Sequence, residues 1–315
     1  MNETEPRATL VPLTSTSRDL QQSLPIRITA DTSIENVEGL LKEKDFDLWE
    51  EYLARHDRQE LAATRIALVN RYQGVGHFGT SEVDNASQQT VYKLFILLRL
   101  VKPTKTRFVA VHVKNLGTEE ADIFRLTTPN PRQLNLPASE KPNTLTAEDL
   151  RRASQMSQRF LSVLDHGPES FRRAVRFYEE GYSNIWDPVL QFITWVIGIE
   201  SACSTGEQIV ARDELIDRIA GLVPFNEDVY GQSVFKEGSL RDHFRIPEFR
   251  VADAVRDLFY LRDHLVHGLW VPKEWDEKEP KYHIPGAPAA LYADALRDAA
   301  AYILRRIVVR LTDDR

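Results

Sequence analysis

An arginine and a histidine near the end of one apolar stretch are the residues of this chain whose types and spacing best suit chemistry. Arg262 and His267 stand five residues apart within VADAVRDLFYLRDHLVHGLW, residues 251–270. A guanidinium binds oxyanions through parallel charge-assisted hydrogen bonds, and an imidazole exchanges a proton near neutral pH. Residues of these two types can therefore bind an anionic group and transfer a proton beside it.

A helix must position these two side chains. Apolar residues recur in the stretch at steps of three and four, which predicts an amphipathic helix that packs into a core. They are Val251, Ala254, Val255, Leu258, Leu261 and Leu265. Gly268 is expected to end the helix. At about 100° per residue, Arg262 and His267 lie roughly 140° apart, so they converge only if the arginine bends toward the last turn.

A purely structural interpretation competes with the chemical one. The arginine could pair with a carboxylate such as Asp263, Glu200 or Asp257. The histidine could be a C-terminal helix residue that the helix dipole favours. Because an arginine and a histidine five residues apart often occur by chance, the spacing alone favours this structural interpretation.

The chain divides into three predicted regions, and the predicted fold class is mainly α. Residues 1–24 are polar without sustained periodicity, which predicts a flexible tail. Residues 25–143 mix helical patterns with strand patterns near 26–29, 64–72 and 108–113, which predicts a small α/β or α+β domain ending in a proline-rich linker. Residues 144–315 have apolar positions at helical spacing, with Thr144 or Thr146 as the first cap, which predicts an all-α bundle.

Two patterns that could indicate a cofactor or a metal ion are rejected. Residues 74–79, GVGHFG, match the spacing of a dinucleotide-binding turn. No βαβ repeat follows, and Thr80 to Gln89 begins with polar residues typical of a loop, so a simple glycine-rich turn is favoured. The eight histidines and the single cysteine form no zinc-ligand spacing. We therefore expect no cofactor and no metal.

Composition and charge limit the partners. With 42% hydrophobic and 28% charged residues, the chain is typical of a globular protein. No apolar run reaches the ~20 residues of a membrane helix and no signal pattern is seen, so we expect a cytoplasmic protein with no membrane partner. A net charge of −7 argues against a broad surface for nucleic acid, so any RNA contact must be local. Two arginine clusters could provide it, although such helix faces are usually just solvated; they are Arg172, Arg173 and Arg176, and Arg305, Arg306 and Arg310.

The segment around Arg262 resembles a known family. Residues 260–268, YLRDHLVHG, are similar to the arginine-polar-x-x-x-histidine signature of HEPN domains, above all to the LR-x-x-(I/L)-VHG form of the ApeA-like HEPN group. Upstream, Ile199-Glu200-Ser201 resembles the ALE-(S/A)-L helix of that group. Residues 97–103, LLRLVKP, resemble the segment that precedes the domain in larger members. Asp263 departs from the pattern, because members often have Asn or Ser there.

The resemblance implies a metal-independent endoribonuclease that serves in phage defence or in a toxin–antitoxin-like system. It implies that Arg262 holds the scissile phosphate of an RNA and that His267 is the acid or base, with Glu200, Asp263 and His264 in support. An antitoxin or a phage-derived trigger would be a further partner. The alternative is a non-catalytic HEPN-like module that binds or senses a partner.

A homodimer through the C-terminal domain is also expected. One copy of the motif offers a single histidine and a single arginine, whereas cleavage calls for a base, an acid and cationic donors. Two copies related by a two-fold axis would supply two of each. Apolar positions left over on residues 251–270 and 290–311 could furnish the interface.

Overall fold

The structure of the protein is a computed structural model, and it describes residues 4–14, 16–43, 45, 55–75, 78, 81–104, 106, 108–116, 122–127, 144–183, 187–204, 211–223, 251–266 and 289–313. These residues are mostly helical, with an antiparallel sheet in the N-terminal part. Of the two predicted alternatives, that part is therefore α+β and not α/β. Within the same ranges, no helix combines the length and the apolar character needed to cross a membrane.

Within the described ranges the sheet has six strands, in the order β2-β3-β4-β1-β5-β6, and every neighbouring pair is antiparallel. The strands are β1 (Glu5–Pro12), β2 (Ile26–Arg27), β3 (Thr32–Asn36), β4 (Ile66–Gly74), β5 (Ala110–Lys114) and β6 (Asp122–Thr127). The strand patterns predicted near residues 26–29, 64–72 and 108–113 are confirmed by β2, β4 and β5.

Strand β1 shows that the prediction of a flexible tail over residues 1–24 was wrong. It lies inside the sheet, paired along its whole length with β4 and over Arg7 to Leu10 with β5. Its last six residues are buried. The segment looked like a tail because Arg7 and Thr9, on one face of the strand, meet a buried polar cluster and not an apolar core. A 3-10 helix, Arg18–Ser23, follows the strand.

The two faces of the sheet are covered differently. Leu10, Val69 and Val111 belong to an apolar core that also includes Val37 and Leu61, the latter from helix α1 (Arg55–Ala62). Helix α2 (Glu82–Val101) contacts β1, β4 and β5. This helix begins inside the stretch that we predicted to start as a loop, and its first turn is closed by a capping box.

Helix α3 (Ala147–His166) spans the division between two compact units. Of the described residues, those up to Leu161 belong to the first unit and those from Ser162 onward to the second. In the first unit, the Ser157 hydroxyl donates a hydrogen bond of 2.7 Å to the Ile28 carbonyl. The division between the units thus falls inside this helix, after Leu161, and not at residue 143. The predicted proline-rich linker, residues 128–143, lies outside the described residues.

The described part of the second unit is a helical bundle, as predicted. After the end of α3 come α4 (Glu169–Ser183), α5 (Pro188–Cys203), α6 (Arg212–Leu222), α7 (Val251–Val266) and α8 (Ala289–Asp313). Helix α5 contacts α4, α6, α7 and α8. Its sequence, PVLQFITWVIGIESAC, is apolar on most sides, as a helix surrounded by other helices requires.

Helix α7 confirms the predicted apolar stripe. Five of its six positions are buried and Leu265 is half-buried. In α8 the apolar residues from Leu296 to Val309 are buried in the same chain. The chain's own core therefore uses most of the apolar positions that we expected to remain for a dimer interface. Val266, at the end of α7, is 61% exposed.

Candidate functional site

Arg262, in the last two turns of α7, is held on several sides. Its Nη1 donates to the carboxylate of Glu200 on α5. Its Nε and Nη2 donate to Oδ1 of Asp263 over 3.1 and 2.9 Å. Its Cζ lies 5.6 Å from the ring centroid of Phe259, within range of a cation–π contact. The side chain nevertheless remains 23% exposed to solvent.

Local packing explains how Glu200 reaches this arginine. Helix α5 starts at Pro188, and Asp187 caps it by accepting from the Val189 amide over 2.9 Å. Near its other end, Gly198 permits a close approach to α8, because a Cβ there would lie 2.5 Å from Cδ2 of Leu304. The core thus fixes α5, and Glu200 emerges from the core beside α7.

A fourth charged residue, which the sequence analysis did not identify, completes the cluster. Arg212 is the first residue of α6, and its Nη2 donates to Oδ2 of Asp263. Glu200, Arg262, Asp263 and Arg212 form the arginine–carboxylate cluster, in which two positive and two negative charges alternate. Three helices, α5, α6 and α7, contribute to it.

Electrostatics keep Arg262 and Asp263 ionised. Burial disfavours the charge of Arg262, yet the hydrogen bond with Asp263 and the charge of Glu200 outweigh it and raise the arginine's pKa. Burial likewise opposes ionisation of Asp263, but hydrogen bonds from Arg262 and Arg212 lower its pKa. At neutral pH the Arg262 guanidinium is therefore positively charged and the Asp263 carboxylate negatively charged.

The structure describes some of the predicted site residues. The structure brings together Arg262, Asp263 and Glu200, three of the five predicted residues. His267 follows Val266 directly and lies outside the described residues, as does the side chain of His264. The contacts of Arg262 with Asp263 and Glu200 are compatible with the supporting roles that we predicted, and equally with the structural interpretation.

A second cluster, on the α2 face of the sheet, was missed by the sequence analysis. Nη1 of Arg7 donates to both carboxylate oxygens of Asp84, over 3.0 and 3.1 Å, and Nε donates to Glu5 over 2.8 Å. The hydroxyls of Tyr72 and Ser81 each donate to Asp84 over 2.8 Å. The side chains of Arg7 and Asp84 are 1% and 0% exposed. Arg7 and Asp84, the central pair, are 77 residues apart in the chain, which is why no local pattern indicated the cluster.

These bonds decide which groups of the second cluster are charged. Burial raises the pKa of Asp84, but hydrogen bonds from Ser81, Tyr72 and Arg7 outweigh it and lower that pKa to about 2. Burial and the hydrogen bond to Asp84 raise the pKa of Tyr72. The carboxylate is therefore ionised and the phenol neutral across the physiological range.

Polar side chains extend the second cluster beneath α2. Oγ of Ser87 lies 2.8 Å from Oγ1 of Thr9 and 2.7 Å from Oδ1 of Asn70, and Oγ1 of Thr9 lies 3.2 Å from Nδ1 of His112. Serine, threonine and histidine are residue types that nucleophilic catalysis uses. All four side chains are buried, however, so a substrate has no access. We interpret this network as a device that fixes α2 on the sheet.

Gly74, which opens the rejected glycine motif, has a packing role. A Cβ at this position would lie 2.0 Å from Cδ of Arg7, so glycine leaves the space that the buried arginine fills. The antiparallel sheet also lacks the parallel βαβ unit that a dinucleotide-binding turn serves.

Other candidate groups give little chemistry. Across the described ranges, no three or more His, Cys, Asp or Glu residues are grouped to hold a metal ion. Burial raises the pKa of the Cys203 thiol to about 12, so this cysteine is protonated and unreactive. On α4, Arg172 and Arg176 pair with Glu169 and Glu180 of the same helix, as on an ordinary solvated face.

Of the two clusters, the one around Arg262 is open to solvent. An anion that reaches it can compete with Glu200 and Asp263 for the guanidinium, which is not possible at the enclosed Arg7.

Comparisons of the chain with protein-family profiles, with curated proteins and with solved structures found no match.

Proposed function

We propose that the helical unit is a metal-independent endoribonuclease of the HEPN type, with Arg262 and His267 as its catalytic pair. The observation that supports the proposal is the position of the Arg262 side chain. Glu200 anchors the guanidinium from a neighbouring helix, part of the side chain stays exposed, and the arginine lies five residues before His267. A positioned cation that solvent can reach is what a phosphate-binding group requires.

The proposed reaction uses the nucleophile that RNA already contains. His267 takes the proton of a ribose 2′-OH, and the 2′-oxygen bonds to the adjacent phosphorus. The bond between phosphorus and the 5′-oxygen breaks, and that oxygen receives a proton. Arg262 stabilises the charge that develops on the phosphate oxygens. The fragments end in a 2′,3′-cyclic phosphate and a 5′-hydroxyl, and no metal-bound water is needed.

A homodimer would provide the second proton-transferring group. With one His267 in each chain, a two-fold arrangement places a base and an acid in one shared cleft. Val266, exposed immediately before His267, is an apolar side chain that a second copy could cover. Light scattering at the concentration of the cleavage assay tests this: a dimer is expected, and a monomer with full cleavage activity would contradict the shared cleft.

The resemblance supplies the biological setting, which we propose to be phage defence or a toxin–antitoxin-like system in the cytoplasm. Expression without an antitoxin, or after a phage-derived trigger, should then arrest growth and fragment cellular RNA. His267→Ala should restore growth at equal protein level. Equal arrest by this variant would contradict the catalytic role of His267, and absence of arrest by the wild type would contradict the setting.

The direct test is cleavage of end-labelled RNA by the full chain in the presence of a chelator. Wild type is expected to cleave, while Arg262→Ala and His267→Ala should abolish cleavage with little change in melting temperature. DNA of matched sequence lacks the 2′-OH and should stay intact. Arg176→Ala is the matched control, because Arg176 is an exposed arginine of the same bundle paired with Glu180. Wild-type cleavage by both site variants would contradict the proposal.

A non-catalytic binding or sensing module is the second candidate. The observation that favours it is the neutralised charge of Arg262, which two carboxylates contact. In that case the arginine–carboxylate cluster only holds α5, α6 and α7 together, and the cleavage assay leaves RNA intact. Arg262→Ala would then leave Glu200 and Asp263 without this partner and lower the free energy of unfolding clearly.

A further inference from the structure

The carboxylate of Asp263 is divided between two arginines. Its Oδ1 accepts from Nε and Nη2 of Arg262, and its Oδ2 accepts from Nη2 of Arg212. The two arginines belong to different helices, α7 and α6. The Asp263 carboxylate therefore connects Arg212 to Arg262, the proposed catalytic arginine.

Asp263 uses the edge of Arg262 that suits an oxyanion. A guanidinium has five N–H donors, and the Nε–Nη2 edge can hold a phosphate or a carboxylate with two parallel bonds. In this structure that edge is filled by Asp263, while Glu200 contacts Nη1. A phosphate that binds Arg262 through the same edge must displace the Asp263 carboxylate.

Arg212 is placed to receive the displaced carboxylate. Its side chain is 51% exposed, whereas that of Asp263 is 37% exposed, so both have room to adjust. Because Arg212 already contacts Oδ2, Asp263 can leave Arg262 without losing its positive partner. Keeping that partner lowers the free-energy cost of the exchange, since an unpaired carboxylate beside an incoming phosphate would repel it.

We propose that Asp263 competes internally with the substrate phosphate for Arg262, and that Arg212 is a positioning residue that draws Asp263 away when RNA binds. This inference rests on the proposed ribonuclease function and names a means of regulating the same site. It assigns a role to Asp263, where the segment departs from the HEPN pattern that it resembles, and to Arg212, which lies outside that segment.

Steady-state cleavage of RNA by four variants, compared with the wild-type chain, tests the inference. Asp263→Asn should lower KM about twofold to fivefold, and Arg212→Gln should raise it by a similar factor, the range of an exposed ion pair. The combined variant should behave as Asp263→Asn does, because Arg212 acts through Asp263. Arg212→Lys should recover part of the loss, and kcat should change less than KM throughout.

A matched control separates this role from general effects of α6. Arg218 lies on the same helix, pairs with Glu214 and donates to the Cys203 carbonyl over 2.6 Å, so Arg218→Gln removes a positive charge and a contact of α6 with α5 without touching Asp263. It should leave KM near the wild-type value. An Arg212→Gln effect that persists in the Asp263→Asn background, or that Arg218→Gln reproduces, would overturn the inference.

Binding of a 2′-O-methyl RNA, which cannot be cleaved by 2′-OH attack, separates failure of the inference from failure of the function. The Kd of the same variants should follow the same pattern as KM. Wild-type cleavage combined with equal Kd for all variants would refute the role of Asp263 and Arg212 and leave the ribonuclease proposal intact. The expected Kd pattern without any cleavage would refute the ribonuclease and support the competition.

Discussion

Arg7 and Arg262 have the same kind of partners and opposite surroundings. Each guanidinium contacts two carboxylates, Glu5 and Asp84 in one case and Glu200 and Asp263 in the other. The first side chain is 1% exposed and the second 23%. Burial of both Arg7 and Asp84 keeps anions in solution away from that pair, while access to solvent lets the bonds of Arg262 be exchanged. Solvent access, and not residue type, therefore separates the fold-stabilising arginine from the candidate functional one.

The largest effect on stability is expected from Arg7→Met. It leaves the buried Asp84 carboxylate without its cation, a change that costs about 3–5 kcal/mol in the free energy of unfolding. Arg71→Met is the matched control, since Arg71 lies on β4 and pairs with Glu35 at the surface. Its cost should stay below about 1 kcal/mol. Urea unfolding of both variants measures the contrast, and equal losses would show that burial does not distinguish the pairs.

A pH series should show the second largest effect. The pKa of Asp84 is lowered to about 2 in the folded chain, against about 3.9 when unfolded. A depressed folded pKa means that the stabilisation is complete above about pH 4 and is lost as the pH falls toward 2. The full loss, reached below both pKa values, amounts to about 2–3 kcal/mol.

The control for this pH series is Asp84→Asn. Glu5 and Asp263 also have lowered pKa values, so wild type keeps some pH dependence from them, and the difference between the two proteins isolates Asp84. Urea unfolding at each pH should give curves that converge as the medium becomes more acidic. Parallel curves would show that Asp84 carries no such linkage.

The smallest effect on stability is expected from Glu200→Gln. This residue and Arg262 are partly exposed, so removing the charge should cost less than about 1 kcal/mol. RNA cleavage should nevertheless fall about tenfold or more, because the phosphate-binding group loses its anchor. Glu214→Gln, in the surface pair with Arg218, is the control and should cleave normally. A stability loss as large as that of Arg7→Met would place Glu200 with the structural carboxylates.

Local patterns predicted the helices of the second unit well. The stripe of α7 has a period of three to four residues, which any sequence window displays, and the buried positions follow it. Local patterns also predicted Thr144 or Thr146 as the cap of α3, and it is the Thr146 hydroxyl that accepts from the Asp149 amide, over 3.3 Å. The contact of Glu200 with Arg262 was among the predicted possibilities, because Glu200 was named both as a carboxylate that could pair with this arginine and as a supporting residue.

Partners that are distant in sequence could not be predicted in the same way. Strand β1 gains its stability from β4 and β5, and its polar residues are balanced by Asp84 and Ser87 of α2, which no local window contains. Arg212 precedes Asp263 by 51 residues and belongs to no motif. In both cases the sequence contains suitable charges, but only the fold decides which charges meet and whether water reaches them.

The most direct test of the central claim is the single-turnover cleavage rate of Arg262→Lys, measured on RNA with chelator present beside its free energy of unfolding. Lysine keeps the charge but lacks the fork that holds a phosphate with two parallel bonds. The predicted result is a rate about 100-fold or more below wild type, with unfolding free energy within about 1 kcal/mol of it. A wild-type rate, or a loss of stability comparable to that of Arg7→Met, would contradict the assignment of Arg262 to catalysis.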